Sequence, residues 1–355
     1  MNQNEIMLPI FTAFLLFFGF VVLSSAAPDD AYLRQQLIYL VSALLLCLVL
    51  FFVGMWRVIP LVYPAYVVVN VLLLLTLLFG REINGARRWL DLGFFSFQPS
   101  ELMKIVLIVV LAMNFGKASQ GWIPLLRVAV LLLIPTMLVA LGPDLGTALV
   151  LVAVAVGMLL IRGIPTKLLV AAVVSLVLVV PTIVLPNLKP HQQARIQSFV
   201  NPLSDPQGSG YQVIQARIAI GSAGVWGKGH RQGTQSQFGF IPFRHTDFIF
   251  PVLTEEWGFV GAMALMLLYS LLFWRLAVMA AECMRLCDQL IIVGVLLLMS
   301  FQTLVNIGVT MGLAPVTGIT LPFVSYGGTS LLSNLIALAL AYTVHRERYQ
   351  EAPLF

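Results

Sequence analysis

Long apolar runs separated by short polar connections make up most of this chain. A run of about 20 apolar residues crosses the hydrocarbon core of a bilayer as a helix. The pattern predicts about ten spans, near residues 6–25, 36–56, 60–80, 100–116, 122–142, 145–161, 166–185, 250–280, 288–312 and 328–344. The runs lack the alternation of a membrane β-barrel, so helices are expected. The predicted fold is an all-α integral membrane bundle, formed by one polytopic domain over residues 1–355.

One long polar stretch, residues 186–250, interrupts this pattern between the predicted seventh and eighth helices. It has no run long enough to cross a bilayer, and we interpret it as an extracytoplasmic loop with short interfacial helices. Ile214 and Ile218 lie one turn apart and predict one such helix. Six basic residues and two acids lie in the loop: Lys189, Arg195, Arg217, Lys228, Arg231 and Arg244 with Asp205 and Asp247. This excess of positive charge indicates a site for an anionic ligand.

Composition supports the membrane interpretation. Hydrophobic residues make up 60% of the chain and charged residues 10%, whereas about a quarter of the residues of a soluble protein are charged. An ordinary soluble protein is therefore excluded, and no nucleic-acid partner is predicted.

The distribution of Lys and Arg over the short loops predicts the orientation. With a cytoplasmic amino terminus, nine lie inside: Arg57, Lys117, Arg127, Arg162, Lys167, Arg275, Arg285, Arg346 and Arg348. Five lie outside: Arg34, Arg81, Arg87, Arg88 and Lys104. Most of the outside residues are close together in sequence, next to Trp89. They form either an anion-receiving surface or a set of side chains that reach lipid headgroups.

Two motifs near this basic cluster have both a structural and a functional interpretation. Lys104 is predicted in the first turns of the fourth span, where it either pairs with Glu101 or contacts a phosphate. Asp144 is predicted at the head of the sixth span, where it either caps the helix or contacts substrate. The sequence leaves both alternatives open.

The segment with Thr246 and Asp247 directly precedes the eighth span. Pro251 lacks the amide that would bond to the Asp247 carbonyl, so the helix is predicted to begin near Asp247. Glu255 and Glu256 follow within two turns and bring three carboxylates to the outer membrane face. This is more negative charge than ion pairing in the region requires.

Several segments together resemble the SEDS family, the polytopic glycosyltransferases that polymerise peptidoglycan from lipid II. They are Asn84–Gly93, Phe97–Lys104, Gly142–Thr147, Arg244–Phe250 and Leu321–Ser330. The segment from Gly227 to Gln237 is more similar to the elongation branch of that family than to its division branch.

The resemblance implies ten transmembrane helices in the bacterial inner membrane, both termini in the cytoplasm, and an active site on the extracytoplasmic face. It also implies a class B penicillin-binding protein and other elongation-complex membrane proteins as partners. Asp247 matches the essential acid of the family. Arg88, Trp89, Lys104 and Asp144 fall in motifs around its central cavity. One departure is Phe243, where relatives commonly have Glu.

The mechanism expected from this resemblance is inverting transfer with undecaprenyl pyrophosphate as leaving group. Asp247 is the predicted base, which removes a proton from the acceptor hydroxyl. The substrate-binding candidates are Arg88, Trp89, Lys104, Asp144, Arg217, Lys228, His245, Thr246, Glu255 and Glu256. No cofactor is certain. A divalent cation, Mg²⁺ or Mn²⁺, that bridges pyrophosphate and Asp144 is an open alternative that no ligand spacing demands.

Two points stay open at the level of sequence. Arg244 and the helix start would keep Asp247 ionised, whereas burial beside Phe248 and Phe250 would favour its protonated form. The alternative function is a lipid II flippase, although no internal repeat of the kind found in transporters is visible. A scaffold that anchors a partner enzyme is a third option.

Overall fold

The computed structural model describes residues 3–27, 29–83, 86–91, 96–117, 122–163, 190–202 and 208–347. Helices dominate these ranges. In chain order they are α1 (Gln3–Ala26), α2 (Asp30–Val53), α3 (Met55–Val58), α4 (Val62–Phe79), α5 (Pro99–Lys117), α6 (Trp122–Leu141), α7 (Leu145–Arg162), α8 (Pro190–Val200), α9 (Ser209–Gly221), α10 (Thr234–Gln237), α11 (Ile249–Ala281), α12 (Leu286–Met311) and α13 (Gly328–Glu347). A short 3-10 helix, Ile59–Leu61, joins α3 to α4.

The predicted helical membrane bundle is confirmed. Among the described residues, seven helical segments are long and apolar enough to cross a membrane: Ile6–Ala26, Asp30–Val53, Met55–Phe79, Leu145–Arg162, Ile249–Ala281, Leu286–Met311 and Gly328–Glu347. Large apolar side chains on the outside of the bundle are exposed, including Phe17, Phe52 and Phe79 at 69%, 77% and 77%. Such a surface suits lipid rather than water. The span expected at 166–185 lies outside the described residues, so the count of ten stays a prediction.

The innermost helices are α5, α12 and α13. In the middle of the bundle α12 packs against α5, α7, α11 and α13, while α13 also packs along α2. Val110, Leu111 and Ala112 of α5 are fully or almost fully buried. Helices enclosed by other helices keep polar side chains away from lipid, and α12 and α13 accordingly contain buried polar residues.

A small antiparallel sheet lies between α4 and α5. Its strands are β1 (Arg81–Ile83), β2 (Ala86–Asp91) and β3 (Ser96–Phe97), in the order β1-β2-β3. Ile83 pairs with Ala86, and Leu90 pairs with Phe97. The sequence interpretation did not include this sheet, although Asn-Gly at positions 84 and 85 is a recognised hairpin signal. The sheet holds Arg88 and Trp89 on a strand rather than in an irregular loop.

Helix α11 is broken near its N-terminal end, at Gly258, where φ is +67°. The break leaves backbone groups without helical partners, and the segment before α10 provides them. The Lys228 and Gly229 amides donate to the Glu255 and Glu256 carbonyls, both at 2.9 Å. A Cβ at position 258 would lie 2.3 Å from a backbone nitrogen of this segment. Glycine is therefore required at the break.

The predicted helix in the long polar stretch is present as α9. It buries Val213, Ala216 and Ala219 against Phe248 and Val309, near the N-terminal end of α11 and the C-terminal end of α12. Ile218 points away from this packing and is 44% exposed. This packing holds α9 against these two helix ends.

Candidate active site

A cavity of about 980 Å³ opens at one end of the bundle. Its walls come from the beginning of α2, strand β2, the first turns of α5, helix α8, the segment before α11, and the connection between α12 and α13. The charged residues that line it are Arg88, Glu101, Lys104, Arg195 and Asp247. A half-enclosed hollow with one concentrated set of charges is a suitable site for an anionic ligand.

Asp247 lies two residues before α11, on a backbone that two side chains and one amide hold in place. The Asn306 side chain donates to the carbonyls of Asp247 (3.0 Å) and Ile319 (2.8 Å). The Ser325 hydroxyl donates to the Thr246 carbonyl at 2.6 Å. The Tyr326 amide donates to the His245 carbonyl at 2.8 Å. These bonds attach the segment with Asp247 to the α12–α13 connection, so the carboxylate has a defined position.

The half-buried position of Asp247 in the cavity wall decides its charge state. Burial raises its pKa to about 6, while Arg195 and then Arg88 act in the opposite direction and Asp144 adds a smaller upward effect. A carboxyl group of this pKa is mostly ionised at neutral pH and is a stronger base than an ordinary aspartate. The sequence had left this balance open.

The cations that face Asp247 differ from the one expected. Arg244 is its close neighbour in sequence, but its Nε donates to the Ala26 carbonyl at 3.0 Å and its charge interacts with Glu256. Arg195 and Arg88, rather than Arg244, are the cations that favour the ionised form of Asp247. Adjacent residues of a non-helical segment point in different directions, which explains the difference.

Gly318 lies between Arg88 and Asp247. A Cβ at this position would lie 3.7 Å from Arg88 Nη1 and 3.8 Å from Asp247 Oδ2. The residue has φ +74°, which favours glycine. The cation and the carboxylate thus approach the same point of the cavity wall from two elements.

Asp144 caps α7 and also holds Arg88. It accepts hydrogen bonds from the Thr147 amide (3.2 Å), the Thr147 hydroxyl (2.9 Å) and the Gln98 amide group (3.2 Å). Arg88 Nη1 lies 3.5 Å from Asp144 Oδ1, and Arg88 Nη2 donates to the Pro143 carbonyl at 2.6 Å. The capping interpretation is therefore correct, and the same carboxylate orients a cation of the cavity.

Lys104 forms the predicted ion pair with Glu101 and also lines the cavity. Its ammonium group lies 2.7 Å from Glu101 Oε2, and the Ser333 hydroxyl donates to the same oxygen at 2.7 Å. Both Lys104 and Glu101 are buried, yet both line the cavity. A buried ammonium group that is paired and still faces a hollow can contact a ligand anion directly.

Thr246 and Trp89 line the cavity, while the His245 ring packs beside it. The centroid of the His245 ring lies 4.8 Å from that of Tyr32 and 5.9 Å from that of Tyr326. Burial and the nearby Arg244 lower the pKa of His245. The imidazole is therefore neutral at pH 7.

The remaining candidates do not line the cavity. Arg217 donates to the carbonyls of Met311 and Gly312, both at 3.1 Å, and so closes the end of α12. Lys228 forms a 2.8 Å ion pair with Glu255, which is fully buried.

Glu256 is also buried away from the cavity. It accepts hydrogen bonds from Ser25 and Gln237, and it lies 3.4 Å from His230. These contacts join α1, α10 and α11. Glu255 and Glu256, which the sequence suggested as substrate-binding residues, therefore stabilise the polar segment before α11 in this structure.

Arg195 is a charged cavity residue that was not among the sequence-based candidates. It lies on α8, and its Nη1 donates to the Val316 carbonyl at 3.4 Å. Burial lowers its pKa, but an arginine stays cationic at neutral pH. The available signal was a basic residue within a short polar helical segment that begins with Pro190.

No resident metal ion is supported by the donor set. Within the described parts of the chain, no group of three or more His, Cys, Asp or Glu side chains comes together as a metal site. The Asp144 carboxylate already accepts bonds from Thr147 and Gln98 and pairs with Arg88. A divalent cation that bridges pyrophosphate and Asp144 stays a prediction, since Mg²⁺ is commonly held by one or two carboxylates together with substrate phosphates.

Comparison with known proteins places this geometry in a family. Residues 6–350 match the family model FTSW_RODA_SPOVE, described as cell cycle protein. The chain is 36% identical to peptidoglycan glycosyltransferase MrdB of Escherichia coli, over 98% of this chain and 94% of the relative.

Two solved structures have the same fold. One, described as structural coordination of polymerization and crosslinking by a peptidoglycan synthase complex, matches with a TM-score of 0.86 and 44% identity, over 97% of this chain and 98% of the other. The rod shape determining protein RodA of Thermus thermophilus matches with a TM-score of 0.74 and 38% identity, over 97% of both chains.

Proposed function

Since the chain belongs to the FtsW, RodA and SpoVE family of cell cycle proteins, we propose that it is a peptidoglycan glycosyltransferase that polymerises lipid II during cell elongation. The observation that carries the proposal is Asp247, a carboxylate of raised pKa that lines a cavity together with Arg88 and Arg195. This arrangement puts a base and an anion site in one hollow.

The reaction follows from these groups. The Asp247 carboxylate takes the proton of an acceptor sugar hydroxyl as the hydroxyl oxygen attacks the anomeric carbon of the donor. The bond between this carbon and the pyrophosphate oxygen breaks, and its electron pair leaves with undecaprenyl pyrophosphate. Attack from the face opposite the leaving group inverts the anomeric configuration.

The cations of the cavity stabilise the charge that develops on the leaving group. Arg88, Arg195 and Lys104 all line the hollow. Arg88 is oriented by Asp144, so its guanidinium group does not need to reorganise when charge develops. Fixed cations in a partly enclosed site stabilise such charge more than water does. The long loop, the sheet and the cavity are expected on the extracytoplasmic face, with both termini in the cytoplasm.

A cross-linking enzyme, a class B penicillin-binding protein, is the proposed partner. The support is the similar solved structure described as a peptidoglycan synthase complex, which coordinates polymerization and crosslinking. The glycan produced at the cavity would then be available directly to a transpeptidase on the same side of the membrane.

The test uses the purified full chain in liposomes with fluorescent lipid II. We expect wild type to form glycan strands and Asp247→Asn to form none, since the amide cannot accept the proton. Asp91→Asn is the matched control, because Asp91 is an exposed strand residue outside the cavity lining. Glycan strands from Asp247→Asn at the wild-type rate would contradict the proposal. Lipid II translocation without glycan formation by wild type would favour a flippase, and absence of both activities a scaffold.

A further inference from the structure

The cavity has an uncharged aromatic corner, which we define as Tyr32, His245 and Tyr326. The Tyr32 centroid lies 4.8 Å from that of His245 and 4.9 Å from that of Tyr326. Tyr32 and Tyr326 line the cavity and are only partly buried. The mechanism proposed above uses the charged residues of the cavity and assigns no role to these rings.

Polar groups accompany the rings without adding charge. The Tyr326 hydroxyl donates to Gln35 Oε1 at 2.7 Å, and Gln35 also lines the cavity. Burial raises the pKa of Tyr326 to about 12, and burial lowers the pKa of His245, so both are neutral at pH 7. The corner therefore combines aromatic rings with amide and hydroxyl groups and has no net charge at neutral pH.

The aromatic corner is attached to the segment with Asp247. The Tyr326 amide donates to the His245 carbonyl at 2.8 Å, and the Ser325 hydroxyl donates to the Thr246 carbonyl at 2.6 Å. A ligand group bound at the corner is thereby held next to the carboxylate. The positive charge of the cavity comes from other parts of the chain, namely from Arg88, Arg195 and Lys104.

We propose that the aromatic corner is a saccharide subsite, which binds the sugar rings of the lipid-linked substrate while the cations bind its pyrophosphate. The proposal rests on the function proposed above. A pyranose has an apolar face of C–H groups and an edge of hydroxyl groups, which match an aromatic face and a nearby amide. Tyrosine provides such a face at low cost in side-chain entropy.

The experiment measures binding in Asp247→Asn, which does not consume the ligand. Two probes are compared in nanodiscs: lipid II, and undecaprenyl pyrophosphate, which has the same tail and pyrophosphate but no sugar. We expect Tyr32→Leu and Tyr326→Leu each to weaken lipid II binding about tenfold, as expected for loss of one aromatic contact. Binding of undecaprenyl pyrophosphate should change less than twofold, and this probe also reports that the cavity is folded.

Two controls make the test specific. Tyr32→Phe keeps the ring and should bind lipid II within about twofold of the parent. Phe238→Leu removes an aromatic side chain that is 73% exposed and outside the cavity lining, and it should have no effect.

Equal losses for both probes, or unchanged lipid II binding in both Leu variants, would overturn the saccharide subsite. Wild type that binds the sugar through these rings but makes no glycan would overturn the proposed function instead.

Discussion

Replacement of Asp247 by Asn should abolish polymerisation and at the same time stabilise the fold. The carboxyl pKa is raised from 3.8 to about 6 by burial. Each pKa unit corresponds to about 1.4 kcal/mol, so the ionised carboxylate costs the folded state roughly 3 kcal/mol at neutral pH. Asn has nearly the same shape and no charge, which removes this cost.

The pH dependence of the effect follows from proton binding. The folded protein holds the Asp247 proton up to about pH 6, whereas the unfolded chain loses it near pH 3.8. The folded state therefore binds more protons between these values, and the stability of wild type falls as pH rises through this range. The advantage of Asp247→Asn should be largest above pH 6 and should disappear as pH falls to 4.

Thermal unfolding of the detergent-solubilised proteins between pH 4 and pH 8 measures this difference. We expect the Asp247→Asn variant to unfold a few degrees above wild type at pH 7.5 and at the same temperature near pH 4. Asp30→Asn, a change of an exposed carboxylate in the first turn of α2, should shift the unfolding temperature much less. A variant that is less stable than wild type at pH 7.5, or a difference that does not depend on pH, would refute the reasoning from burial.

Three further predictions use the same structure. The kcat/KM for lipid II should fall about tenfold per pH unit below the Asp247 pKa of about 6, because protonation removes the base. A kcat/KM that stays constant down to pH 4.5 would contradict this prediction. Lys228→Met should destabilise the fold by about 3 kcal/mol, because it leaves the buried Glu255 without its cation. Glu255→Gln in the same chain should restore part of this loss. Thermal unfolding of the single and double variants measures the coupling between the two residues, and additive losses would argue against the ion pair. Arg217→Ala should cost only about 1 kcal/mol, because its bonds at the end of α12 are exposed to solvent, and it should leave the rate per folded molecule unchanged. A specific loss of rate in a fully folded variant would instead indicate substrate contact.

The character of the fold and the chemistry of the site were readable from local sequence. Apolar runs predicted the membrane helices because backbone groups in lipid need partners within the same helix. Asp144 was predicted as a helix cap from its position before a span, and the bond from the Thr147 amide confirms it. The resemblance to a family of glycosyltransferases singled out Asp247, and the structure places this residue in the cavity.

Only the tertiary structure determined which contacts each basic residue makes. The sequence presents Arg195, Arg217 and Lys228 as similar charges in one polar stretch. In the folded chain Arg195 reaches the cavity, Arg217 closes the end of α12, and Lys228 pairs with Glu255. A long flexible side chain binds whichever carbonyl, carboxylate or hollow the distant parts of the chain bring within its reach. The local sequence does not show which distant residues will become neighbours. A membrane helix can be predicted locally, because the apolar run that predicts it lies within the helix itself.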